Sequence, residues 1–338
     1  MRTDNTLYVV IPCYKEEEVL PETAKRLREK MMALRASGQI SSASRVMFVN
    51  DGSKDRTWEI IAELHTQEPG MFSGVNLSRN RGHQNALLAG LMTAVNEADM
   101  IISMDADLQD DINAMDGMIA AYHNGYDVVY GVRSSRQTDT FFKRFTAEGF
   151  YKLMKALGVD IVFNHADYRL MSRRAVEGLA QFREVNLFLR GIVPQIGYRW
   201  TTVEYARAER FAGESKYPLK KMLAFAFDGI TSFSVKPMRL ILHVGALVFV
   251  ISLFMLLYAL ISKLSGHADS GWTSLMGSLW LIGGIQLLAL GVVGEYIGKI
   301  YAETKQRPRF IIEQVLNEVG DGENAGRSAI QGLPARPR

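Results

Sequence analysis

The sequence predicts an α/β catalytic domain with a mostly parallel sheet and flanking helices, followed by interfacial helices and a C-terminal two-helix transmembrane hairpin. Three observations predict it. Over the first 130 residues, short apolar, β-branched runs alternate with longer segments of helical spacing. Near the C-terminus, Leu240–Ile261 and Trp272–Gly294 carry no Asp, Glu, Lys or Arg. Basic residues crowd the outer flanks of those two stretches and leave the connection between them almost bare.

The strands are expected at Leu7–Ile11, Val46–Val49, Gly74–Leu77, Met100–Met104 and Asp127–Tyr130, with helices such as Val19–Ala36 and Gln84–Asn96 between them. After residue 133 the rhythm loosens. Thr140–Leu157 and Tyr217–Phe233 mix aromatic and aliphatic residues with Lys and Arg, a pattern that suits helices lying in a membrane interface or ordinary core packing. Tyr198–Tyr205 reads as a further strand. The resulting plan is a cytosolic catalytic domain over 1–215, a juxtamembrane amphipathic helix over 216–239 and transmembrane helices over 240–262 and 272–294. A cytosolic tail over 299–338 follows, and its composition after Asn317 predicts disorder.

The Leu240–Ile261 run has 22 residues. As a helix it would span about 33 Å, enough to cross a hydrocarbon core. Lys216, Lys220, Lys221, Lys236 and Arg239 precede it, and Lys299, Lys305, Arg307 and Arg309 follow the second stretch. Only Lys263 lies between, beside His267 and Asp269. Positive flanks stay inside, so both termini and the catalytic domain are expected on the cytoplasmic face of the plasma membrane. The first apolar run is too short for a signal peptide. The single Cys13 suits a reducing compartment and excludes an internal disulfide. A net charge of +3, with no basic motif interleaved with aromatics, argues against nucleic acid as a partner. The six histidines show no zinc-binding spacing. Gly294 and Gly298 form a small-xxx-small pair that suits helix association, hence a homo-oligomer.

Ligands of a parallel sheet bind at the carboxyl ends of its strands, so the segments after the strands are where chemistry is sought. No GxGxxG follows the first strand and no GxxxxGK[ST] occurs, which argues against a dinucleotide oxidoreductase and a P-loop NTPase. Asp105-Ala106-Asp107 ends the fourth run instead. Two carboxylates one residue apart, just past a buried strand, can hold Mg²⁺ or Mn²⁺ that also meets phosphate oxygens. Asp51 ends the second run, where a carboxylate can accept from a base N–H or a ribose hydroxyl, and Gly52 permits close backbone approach.

These segments together resemble the family 2 glycosyltransferases with a GT-A fold. They are most similar to the branch that transfers sugars to polyprenyl phosphates, which includes dolichyl-phosphate mannose synthase and bacterial bactoprenol glucosyltransferases. The resemblance rests on Ile11–Glu16, Val49–Thr57, Leu77–His83, Asp105–Asp110, Gly131–Arg133, Asp167–Arg173 and Arg210–Tyr217, in that order along the chain. It implies that Pro12, Tyr14, Glu16 and Asp51 line the base and ribose pocket. Asp105 and Asp107 would hold the metal, with Gln109 close by. It implies further that Arg133, Arg210, Ser215 and Lys216 gather phosphates of donor and acceptor, as Arg and Lys chemistry suits.

Asp167 matches a carboxylate that looks like a base in this branch. A polyprenyl phosphate has a second pKa of about 6 and is already mostly ionised, so Asp167 could instead orient Arg169 or an acceptor-binding group. The resemblance implies inverting, in-line transfer of a hexose, with glucose from UDP-glucose as the best fit, to undecaprenyl phosphate for surface glycan modification. UDP- or GDP-linked donors, mannosyl and formamido-arabinosyl versions, a processive polysaccharide synthase and a flippase partner stay open. Gln195–Trp200 looks like a processive Q-x-x-R-W but has one residue too many.

Overall fold

The structure is a computed structural model and describes residues 4–133, 165–185, 187–206, 236–264 and 271–317. Described residues of Met1–Thr146, Ile161–Lys216 and Pro308–Arg338 form one compact unit, and those of Ala147–Asp160 and Tyr217–Arg307 form a second.

The first unit is built on eight strands: β1 Leu7–Cys13, β2 Arg45–Asn50, β3 Phe72–Leu77, β4 Met100–Ser103, β5 Val128–Arg133, β6 His165–Ser172, β7 Trp200–Tyr205 and β8 Ile312–Leu316. They make one sheet in the order β7-β5-β6-β4-β1-β2-β3-β8. All five predicted strand runs overlap β1 to β5, with Met104 and Asp127 just outside β4 and β5. The register of β1 is fixed by parallel partners on both sides, Val9 facing Val46 of β2 and Ile102 of β4. Its seven residues are all buried, as a central parallel strand covered on both faces requires. The sheet is mixed: six strands share one direction, as the expected mostly parallel sheet does, and β6 and β8 run against them. β6 runs antiparallel to both β4 and β5, and β8 runs antiparallel to β3. Those pairings join segments far apart in the chain, which local apolar patterning does not encode.

Helices α1 Leu20–Ala36, α2 Thr57–Gln67, α3 His83–Ala94, α4 Ala114–His123, α5 Arg173–Ala180 and α6 Leu189–Gln195 complete this unit. Leu20, Ala24, Leu27, Met31 and Leu34 of α1 share one core with Leu7, Val9 and Ile11 of β1 and Met115 and Met118 of α4. The alternate residue Val10 turns to the other face and meets α3. A Cβ on Gly90 there would stand 2.4 Å from Val10 Cγ1, so only glycine allows that approach.

The second unit contains α7 Lys236–Leu264 and α8 Trp272–Lys305, which touch one another. Both begin or run beyond the predicted spans, and α8 continues past Gly294 to Lys305. Leu242, Phe254, Leu281 and Leu287 are among their many exposed apolar residues. Among the described residues, Leu281–Lys305 is the segment long and apolar enough to cross a membrane. The predicted tail over 299–338 therefore includes the end of α8 and a sheet strand, β8. Thr140–Leu157 and Tyr217–Phe233, the expected interfacial helices, lie outside the described residues, as does the tail after Asn317.

Candidate active site

The loops after β1, β2 and β3 are bound to each other before any ligand is considered. Asp51 follows β2, and its N–H donates to the Cys13 carbonyl at 2.9 Å. Ser53 Oγ accepts the Lys15 N–H and Thr57 Oγ1 accepts the Glu16 N–H, each at 3.0 Å. The Glu16 carbonyl in turn accepts from Val19 and Leu20, which starts α1. Lys15 takes a left-handed conformation (φ 57°) in this turn. Pro12 is buried in β1, while Tyr14 is exposed with Lys15 Nζ over its ring.

Asp51 itself is buried, and both its oxygens serve the loop after β3. Oδ1 accepts the Arg81 N–H at 2.6 Å and Oδ2 accepts the Gly82 N–H at 2.9 Å. Burial raises its pKa, and those two donors oppose the rise. Gly52 (φ 62°) passes so close that a Cβ would lie 2.4 Å from the Arg79 carbonyl carbon. Asp51 thus pins a loop, and its remaining lone pairs could still accept from a base or ribose.

The acidic turn after β4 sits at the middle of the sheet. Met104 N–H donates to Val10 O at 3.2 Å, extending the β4–β1 pairing, and Thr23 Oγ1 of α1 donates to Ala106 O at 2.9 Å. Asp107 Oδ1 accepts the Gln109 N–H at 3.2 Å across a turn in which Leu108 has φ 57°. Asp105 Oδ1 is buried and receives no hydrogen bond. Burial pushes the Asp105 pKa up to about 6; nearby His83 opposes the rise, while the Asp167, Asp110 and Asp107 charges add to it. A carboxylate oxygen that accepts no hydrogen bond, crowded by other carboxylates, is what a divalent cation would satisfy, so Asp105 and Asp107 fit a metal. Among the described residues no group of three or more His, Cys, Asp or Glu is arranged for one. Its other ligands would then be supplied by a substrate such as a diphosphate.

Beyond β4, pairs of charged side chains join the backbone ties. Asp167 lies at the start of β6, two residues before Arg169, whose partner on β4 is Ser103. Ser103 Oγ donates to Asp167 O at 2.6 Å. Arg169 is fully buried and donates to Asp167 Oδ1 at 2.9 Å. Arg190 of α6 donates to Oδ1 at 3.3 Å and Oδ2 at 3.1 Å. Burial would raise the Asp167 pKa, yet Arg190, Arg169 and His83 outweigh it and hold the carboxyl well below the usual range. His83, the first residue of α3, places Nε2 at 3.4 Å from Asp105 Oδ1 and 3.8 Å from Asp167 Oδ2. Arg133, at the end of β5, donates to the Tyr205 hydroxyl at 3.3 Å and lies 3.5 Å from Asp110 Oδ1. Tyr205 closes the group by donating to Asp110 at 2.5 Å.

The structure therefore brings Pro12, Tyr14, Glu16, Asp51, Asp105, Asp107, Gln109, Arg133 and Asp167 to loops and strand ends along one edge of the sheet. Arg210, Ser215 and Lys216 lie outside the described residues. His83, Asp110, Arg190 and Tyr205 join the site without having been singled out. His83 and Asp110 close two of the motif segments, so their positions were visible though their contacts were not. Arg190 and Tyr205 stand in stretches without any motif.

Comparison with known proteins gives two family models. Residues 8–179 match the one described as Glycosyl transferase family 2, and residues 236–300 match the GtrB C-terminal hairpin. The chain is similar to an uncharacterized glycosyltransferase, YkoT, of Bacillus subtilis (strain 168), at 52% identity over 91% of each chain. It is 41% identical to the prophage bactoprenol glucosyl transferase homolog of Escherichia coli (strain K12), over 91% of this chain and 98% of that one. The bactoprenol glucosyl transferase of Shigella phage SfV is also 41% identical, over 90% and 97%. Among solved structures, the mannosyltransferase PcManGT from Pyrobaculum calidifontis in complex with GDP-Man and Mn2+ is similar over 89% of this chain and 85% of its own. The identity is 15% and the TM-score 0.46.

Proposed function

The chain belongs to glycosyl transferase family 2, and from that premise we propose that it transfers glucose from UDP-glucose to a polyprenyl phosphate at the cytoplasmic face of a membrane. The observation that carries this reading is the Asp105–Asp107 turn at the centre of the sheet edge, with a buried carboxylate oxygen that accepts no hydrogen bond and has the His83 ring 3.4 Å away. A divalent cation bound there, Mg²⁺ or Mn²⁺, would stabilise the charge on the departing nucleoside diphosphate. Tyr14, Glu16 and Asp51 flank the turn on one side and would receive the nucleotide. Arg133 flanks it on the other and would meet phosphate. With the acceptor already ionised, direct in-line attack by its phosphate oxygen on the anomeric carbon needs only alignment.

The acceptor class is supported by similarity along more than nine-tenths of the chain to proteins named bactoprenol glucosyl transferase, and by the hairpin match. Topology supports the membrane arrangement. β8 follows α8 and pairs with β3, so the residues before and after the hairpin share one sheet. A sheet kept on one side of a bilayer is compatible with an even number of crossings in the chain between, which supports the two-span reading. The basic flanks support the cytoplasm as that side.

Incubating the purified protein with polyprenyl phosphate, Mg²⁺ or Mn²⁺ and a panel of UDP- and GDP-sugars tests the reading. Lipid-linked glucose from UDP-glucose is the expected product. Product from another sugar alone would overturn the donor assignment, and no lipid-linked product from any donor would overturn the acceptor.

A further inference from the structure

Asp167, Arg169 and Arg190 form a cluster whose geometry suits holding a charge more than moving a proton. Both oxygens of Asp167 already accept from guanidinium groups. Two guanidinium groups face this one carboxylate, one from β6 and one from α6. The two arginines are not equivalent. The Arg169 side chain is 1% exposed and locked in the sheet, whereas that of Arg190 is 34% exposed.

Arg190 is also carefully anchored. Its neighbours Leu189, Ile192 and Val193 are buried, and the Leu189 N–H donates to Gln84 Oε1 at 2.9 Å. Gln84 follows His83 on α3, so a contact spanning 105 residues of sequence brings α6 to the carboxyl edge of the sheet. The position along that edge separates Arg190 from the nucleotide side. Its partner Asp167 is on β6, which lies beyond β4, while Asp51 follows β2 on the opposite side of β4.

We propose that Arg190 binds the phosphate of the lipid acceptor, and that Asp167 is the positioning residue that holds its guanidinium rather than a base. The inference rests on the glycosyl-transfer reading above and specifies its acceptor side. An acceptor phosphate with a second pKa of about 6 needs a cation to receive it more than a base to ionise it. A partly exposed guanidinium oriented by a carboxylate is a pre-organised partner for such an oxyanion. The same phosphate chemistry occurs in the donor diphosphate, so donor and acceptor must be varied separately.

The test is steady-state kinetics of the full-length protein with polyprenyl phosphate and nucleotide-sugar titrated in turn. Arg190→Gln is expected to raise the acceptor KM about 30-fold, with the donor KM within about twofold. Arg190→Lys should recover part of that loss. Asp167→Asn should raise the acceptor KM about tenfold and keep the pH profile of kcat unchanged in shape. A large fall in kcat at saturating acceptor with unchanged KM in Asp167→Asn would make Asp167 the base and overturn the proposal. So would a rise in donor KM, or an unchanged acceptor KM, in Arg190→Gln. If Arg190→Gln fails to bind UDP or to melt cooperatively, the Arg190→Lys acceptor KM decides on the same terms. A wild type that makes no lipid-linked product would instead count against the glycosyl-transfer reading itself.

Discussion

The two sides of the sheet's carboxyl edge are held together by different bonds. On the β1–β2–β3 side, side chains tie down backbone: Asp51 takes the Arg81 and Gly82 N–H groups, Ser53 takes that of Lys15, and Thr57 that of Glu16. On the β4–β6–β5–β7 side, charged side chains hold one another: Asp167 with Arg169 and Arg190, Asp110 with Arg133 and Tyr205. Backbone ties fix the shape of a loop. Networks of charged groups fix a potential, and in a partly buried setting that potential acts strongly on an arriving anion. One side therefore offers shape, which suits a base and ribose, and the other offers pre-set charge, which suits phosphates. Asp105 and Asp107 stand at the border between them.

Four changes would break or sharpen this contrast. The largest effect is expected at the border. Asp107→Ala should lower the rate of lipid-linked product formation by about 10³-fold, a loss of several kcal/mol of charge stabilisation. The melting temperature should barely move, because Asp107 is only half-buried. A product rate equal to wild type would remove the border from the comparison.

Next comes the shape-holding side. Gly52→Ala would force a Cβ into the Arg79–Asn80 backbone at a positive φ. Denaturant unfolding should show a loss of about 3 kcal/mol, and UDP binding should weaken with it. Stability within error of wild type would mean that this loop yields easily.

On the charge-holding side, Asp167→Asn should lower stability at neutral pH by about 2 kcal/mol, since it weakens a mostly buried ion pair. The pKa of Asp167 is lower in the folded than in the unfolded chain. Its contribution is therefore fully present above the unfolded value of about 4, and is lost as the pH falls towards the folded one. The gap in melting temperature between wild type and Asp167→Asn should narrow below that pH. A gap that widens in acid would reverse the sign and refute the ion-pair account.

The smallest effect is expected from Tyr205→Phe. It removes the donor to buried Asp110 and an acceptor for Arg133. A stability loss of about 1 kcal/mol and a KM rise of about threefold for a phosphate-bearing substrate are expected.

Much of the shape-holding side was legible in the sequence. Its strands are short apolar runs, and its functional residues follow directly after them in compact segments such as Pro12–Glu16 and Asn50–Ser53. Even there, the sequence assigned Asp51 to a ligand, and only the structure shows that its two oxygens serve the backbone of residues 81 and 82. The charge-holding side was far less legible. Asp167 and Arg190 are 23 residues apart, and Asp110 and Tyr205 are 95 apart. No local spacing rule links such pairs. β8 was missed for the same reason, because an edge strand with two exposed polar residues, Glu313 and Gln314, has little apolar pattern of its own.

The sequence by itself determined the alternating α/β rhythm, the acidic pair at a strand end and the two uncharged C-terminal stretches. Each is a local property, set by side-chain polarity and by the period of helix or strand. Tertiary structure alone decided the antiparallel insertion of β6, the return of β8 to the sheet and the clamping of Asp167 between Arg169 and Arg190. Those features depend on which distant segments come to lie side by side. Buried charges make that choice specific, because each must find a partner or pay a desolvation penalty of several kcal/mol.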